Sequence, residues 1–186
     1  MKFFSDRNVP YMNQGQQKKQ RLLVGIMTGL GALAVIVFTF TFILGDDGFA
    51  LQINKTIESQ DETKAIAKLV QEYSTNTSAD NFAATLAATA TSSSNELAAY
   101  RSQRVGNGIP LTKVDTAEEE SSLEAARQSG AVEQVAVDLL SNALQRDIQN
   151  VQELQQLTNN DEFSSQLSAI QQDLSLLLDL LQDSSF

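Results

Sequence analysis

The chain has 186 residues, with 13 Lys plus Arg against 23 Asp plus Glu, a formal net charge of −10, and no Cys, His or Trp. Those absences exclude disulfides, thiolate nucleophiles, Cys- or His-ligated metal centres and any catalytic triad built on imidazole. The length allows one ordinary domain besides short appendages.

Residues 1–21 are polar and basic, with Lys2, Arg7, Lys18, Lys19 and Arg21 opposed only by Asp6. Leu22 to Leu44 then holds 23 residues without a charge. As a helix this run measures about 34 Å, enough for the roughly 30 Å hydrocarbon layer of a bilayer. It is longer than the apolar region of a cleaved signal peptide, although Gly48-Phe49-Ala50 offers a small-x-small site for cleavage after Ala50. Basic residues stay on the cytoplasmic side. The sequence thus predicts a cytoplasmic tail (1–21), one membrane-spanning helix (22–44), a linker (45–53) and an extracytoplasmic domain (54–186). Gly25 and Gly29 form a G-x-x-x-G pair, the spacing that lets two membrane helices approach closely.

Residues 45–186 carry 8 basic and 22 acidic side chains, a net charge of −14. Such acidity excludes nucleic acid as a partner, because phosphate backbones are held by clustered Lys and Arg. The region has one proline, Pro110, and little β-branched alternation. Four amphipathic helices are predicted from apolar spacing and capping residues.

The first runs from Asn54 or Ser59 to Tyr73. Ser59 and Glu62 have capping-box spacing, and Ile66, Leu69, Val70 and Tyr73 share one face. The second covers Ser78 to Arg104; its Ala/Thr/Ser-rich middle predicts that it is the least stable helix or bends near Thr91–Ser94. Val105 to Asp115 reads as a loop whose Val105, Ile109, Leu111 and Val114 cover one end of a bundle. The third starts at Thr116, paired with Glu119 as a second capping box, and ends at Thr158; Gly130 kinks or splits it. The fourth runs from Asp161 to Gln182. Its Phe163, Leu167, Ile170, Leu174, Leu177 and Leu181 step by 4, 3, 4, 3 and 4, a heptad seam.

The expected fold is all-α: an N-terminal transmembrane helix followed by an antiparallel bundle of about four helices. The alternative is an extended hairpin that needs partner subunits to bury its leucines. No motif carries catalysis. The sequence predicts no metal and no cofactor, because the acidic groups at 46–47, 118–120 and 159–162 lack the oxygen spacing of a calcium loop. Arg101 and Arg104, one turn apart, either pair with the Glu118–Glu120 cluster or hold an anion. Asn54-Lys55-Thr56 and Asn76-Thr77-Ser78 match the glycosylation acceptor pattern. The candidate protein interface is the C-terminal leucine stripe, Leu174, Leu177, Leu178 and Leu181, which Leu176 and Leu180 widen. The functional expectation is a non-enzymatic, single-pass membrane protein. Its outer bundle contacts a protein partner or another copy. The alternatives are a ligand-sensing bundle that signals through a partner and a bracing subunit of a larger membrane complex.

Overall fold

A computed structural model describes residues 45–104 and 110–183, with side chains from residue 48. The tail, the apolar run and the Gly25/Gly29 pair lie outside the described residues. Among the described residues no helix is long and apolar enough to cross a membrane. From Asp46 onward the chain is one compact unit. It is all-α, with α1 Gly45–Tyr73, α2 Thr77–Arg104, α3 Ala117–Ser129, α4 Val132–Leu157 and α5 Asp161–Asp183.

α1 starts nine residues before Asn54, so the expected 45–53 linker is its first turns. The reason is burial: Ile53 and Ile57 are fully enclosed and Ala50 nearly so. Ser59 is therefore mid-helix and caps nothing. α2 is continuous through its Ser/Thr-rich middle. There the hydroxyls of Thr91 and Ser93 donate to the carbonyls four residues back, Ala87 and Thr89, at 2.7 Å each. Asn76 caps α2, its Oδ1 accepting the N–H of Ser78 at 2.8 Å and of Ala79 at 3.3 Å.

The expected third helix is two. Gly130 adopts φ +71°, and the N–H of Ala131 donates to the Ala126 carbonyl at 2.9 Å, closing α3 with a left-handed cap. Thr116 makes no side-chain cap; Asp115 Oδ1 accepts the Ala117 N–H instead, at 3.1 Å. Asn160 caps α5, accepting the Phe163 N–H at 2.8 Å. All six seam residues of α5, from Phe163 to Leu181, are buried within the chain's own core, so the hairpin alternative does not apply.

Helix direction follows from which residues meet. On α1, Gln52, Thr56 and Ser59 bond to Glu153, Asn150 and Asp147 of α4 in descending order, so α1 and α4 are antiparallel. Phe49 meets Tyr100 and Asp61 meets Ser94, so α1 and α2 are antiparallel too. Gln155 reaches Ser168 across the tight α4–α5 turn. The four long helices thus run up, down, down, up. The neighbouring pairs α1/α4, α1/α2 and α4/α5 are antiparallel, and α2 and α4 point the same way. A parallel pair needs a connection that travels the length of the bundle. The dozen or so residues between Arg104 and Ala117 reach about 40 Å when extended, which suffices. The Thr112 N–H is tied to Glu58 on the way. Leu111 and Val114 of this crossover stay exposed and half-buried, so they do not form the expected apolar cover; Val105 and Ile109 lie outside the described residues.

α3 lies at the far end, beside Tyr73. The Arg127 guanidinium sits 6.0 Å from that ring's centre. Burial together with Glu120 and Glu124 pushes the phenol above its ordinary value. The opposite end is closed by rings: Tyr100 stacks on the buried Phe163 at 3.5 Å between centroids, and Phe49 meets both edge-on at 6.2 and 6.1 Å.

Candidate functional site: a buried polar layer and an uncovered leucine pair

Two features depart from an ordinary aliphatic bundle. The first is inside. α1 buries Asn54, Thr56, Ser59, Gln60 and Thr63, and α4 buries Asp147 and Asn150. Gln52, Thr56, Ser59 and Thr63 repeat at 4, 3 and 4 residues, heptad spacing carried by polar side chains. Along this line Gln52 Nε2 donates to the Asn150 carbonyl at 3.2 Å and to Glu153 Oε2 at 3.1 Å. Thr56 Oγ1 donates to the Gln52 carbonyl at 2.8 Å and to the Asn150 carbonyl at 3.3 Å. At the outer edge Lys55 pairs with Glu153 at 3.1 Å and Arg146 with Glu62 at 2.9 Å. Hydrogen bonds from Gln149 and Lys55, with Gln52 adding to them, hold the Glu153 carboxyl below the usual range.

Asp147 is the centre of this layer. Its carboxyl is fully buried, and Oδ1 accepts the Ser59 hydroxyl. The Thr63 hydroxyl, one turn on, favours the ionised form without making a close hydrogen bond. Arg146 acts only through space, because its guanidinium is engaged by Glu62. Burial outweighs these effects and pushes the Asp147 carboxyl from 3.8 up to about 6. The same level of the bundle holds buried Ser93 and Ser94 of α2, with Ser94 Oγ donating to Asp61 Oδ1 at 3.1 Å. The Gln60 amide is buried in this level and the Asn54 amide two turns away; neither makes a hydrogen bond among the described residues. Chemically the layer offers one proton-binding carboxyl titrating near pH 6 and a polar register mark between α1 and α4. Among the described residues no three potential metal ligands converge.

The second feature is outside. Leu174, Leu177 and Leu181 lie in the core, and Leu178 packs against its edge, so the expected interface residues are mostly spent internally. What remains uncovered on α5 is Leu176, 58% exposed, and Leu180, 51% exposed, adjacent on one helical face.

The two arginines separate. Arg101 is 8% exposed, near the ring-closed end of the bundle that Tyr100 marks; Arg104 is exposed. The Glu118–Glu120 cluster starts α3, which packs by Tyr73 at the other end, so the expected pairing with Arg101 and Arg104 does not form. Asn54 is buried mid-helix and Asn76 is half-buried while its side-chain oxygen caps α2, so only the second acceptor motif has its side chain within reach of solvent.

Heptad spacing among apolar residues leaves this buried layer unmarked in the sequence. The signal was present as Gln52, Thr56, Ser59 and Thr63. No protein-family model, no curated protein and no solved structure matches the chain.

Proposed function

We propose that the chain is a single-pass membrane protein whose acidic helical bundle is held outside the membrane for contact with another protein. The observation that carries the reading is succession along the chain. An uncharged run of 23 residues, flanked by basic residues before it, is followed at once by a helix-built acidic unit that starts at Gly45. Basic-before, acidic-after is the charge pattern of an anchor with its N-terminus in the cytoplasm. Gly25 and Gly29 give such an anchor a face for packing on a second membrane helix. The bundle keeps its aliphatic surface inside except at a few leucines, of which Leu176 and Leu180 form a pair; uncovered apolar area on a soluble unit marks contact sites.

The test uses the full-length chain in cells, tagged at its C-terminus. The chain should stay in the pellet after alkaline carbonate extraction. Protease added from outside should remove the tag and leave a short N-terminal fragment. Release of the intact chain into the supernatant, or a tag protected from protease, overturns the reading.

A further inference from the structure

The uncovered leucines sit in a setting that specifies what covers them. Leu176 has Asp173 three residues before it and Asp179 three after, and Leu180 has Asp183 three after. All three carboxylates are exposed, and α5 contains no Lys or Arg. Leu176 and Leu180 form a short apolar ridge bordered by Asp173, Asp179 and Asp183.

Charge selects among occupants. A second copy docking face to face would bring two sets of three aspartates together without a base on either α5, and residues 45–186 already carry a net −14. A bilayer surface, anionic in most cells, meets the same repulsion. A helix with leucine-type side chains flanked by Lys or Arg satisfies both the ridge and its border. We infer that the Leu176/Leu180 ridge with its Asp173, Asp179 and Asp183 border is the docking site for a basic amphipathic helix of a different protein. This rests on the interaction reading above and names the chemistry of the partner.

The experiment uses the full-length chain in nanodiscs of zwitterionic lipid, with empty nanodiscs as background. The probe is a fluorescent synthetic helix with Leu at heptad a and d positions and Lys on both flanks; the control replaces every Lys by Glu. Anisotropy should report binding of the Lys helix and not the Glu helix. Leu176→Gln/Leu180→Gln should weaken binding by about tenfold or more. Asp173→Asn/Asp179→Asn/Asp183→Asn should weaken it severalfold and remove most of its salt dependence. Thermal melts of both variants should match the parent, since all five side chains are exposed. Equal binding to the leucine variant overturns the proposal. So does self-association of the parent chain abolished by that variant, which assigns the ridge to a second copy, or adsorption to anionic vesicles with the same dependence, which assigns it to lipid. The anchored reading is judged separately by extraction and protease access, so its failure and the failure of this ridge are told apart.

Discussion

α5 and α1 bury comparable lengths of helix in the same bundle and do so by opposite means. α5 turns Phe163, Leu167, Ile170, Leu174, Leu177 and Leu181 inward, with no polar side chain among them. α1 turns in Ile53, Ile57, Ile66, Ala67 and Val70, but also Asn54, Thr56, Ser59, Gln60 and Thr63. On α5 the stability comes from area removed from water, which is non-directional and scales with size. On α1 every enclosed oxygen or nitrogen has lost water, and those of Thr56 and Ser59 recover a partner from specific groups on α4. The difference teaches that an aliphatic seam says how strongly a helix is held, whereas a polar seam says against which neighbour and in which register. A slide of α1 by one turn would separate Ser59 from Asp147 and Thr56 from the Asn150 carbonyl.

The contrast can be broken or sharpened by substitution, beginning with the largest effect. Leu174→Ala removes a fully buried side chain from the α5 seam and should cost about 2–5 kcal/mol in denaturant unfolding of the full-length chain. Leu176→Ala, two residues on but exposed, should stay within about 0.5 kcal/mol. Equal losses at the two positions would mean that α5 is not oriented as described.

Asp147→Asn addresses the polar seam. With its carboxyl raised from 3.8 to about 6, Asp147 holds a proton more tightly folded than unfolded. Between those values the native state binds more protons, so stability falls as pH rises. The contribution is full below about pH 4 and lost once pH passes 6, on the order of 2–3 kcal/mol for a shift of about two units. The facing charges are Arg146, which favours the ionised form, and Glu62, which opposes it. The Asn variant keeps an oxygen for Ser59 and has no charge to desolvate. It should be more stable than the parent at pH 7, with a flatter profile from pH 4 to 7. A parent whose stability rises over that interval would show that Asp147 is not enclosed.

Smaller effects concern helix ends and the surface. Asn160→Ala takes the cap from the Phe163 N–H and should lower the melting temperature in line with a loss of about 1 kcal/mol. Lys55→Ala breaks its 3.1 Å pair with Glu153, but both side chains are well exposed, so the loss should be under about 0.5 kcal/mol and shrink further at high salt.

Several elements were legible before any coordinates. The α5 seam is buried residue for residue, and α2 and α5 begin and end within a residue or two of their expected bounds. Gly130 divides the third segment, as a residue free to take positive φ allows. Legibility failed where polar residues had two possible uses. Ser59 with Glu62 fits a capping box, yet Ser59 serves Asp147 from mid-helix. Thr116 with Glu119 fits another, yet Asp115 takes that place. Capping patterns record which side chains are able to bond a free N–H, and tertiary contacts decide whether an N–H is free there.

The sequence by itself determined the helical class, the aliphatic face of α5, the break at Gly130 and the charge contrast between the first 21 residues and the acidic remainder, because each is local in the chain. Tertiary structure alone decided that α2 and α4 run in the same direction, that Arg101 and the Glu118–Glu120 cluster lie at opposite ends, that Asp147 titrates near pH 6, and that Leu176 and Leu180 are left over when the core is full. Those depend on which surfaces meet across as many as 101 residues of chain and on how much water is excluded where they meet, and no spacing along one helix encodes either quantity.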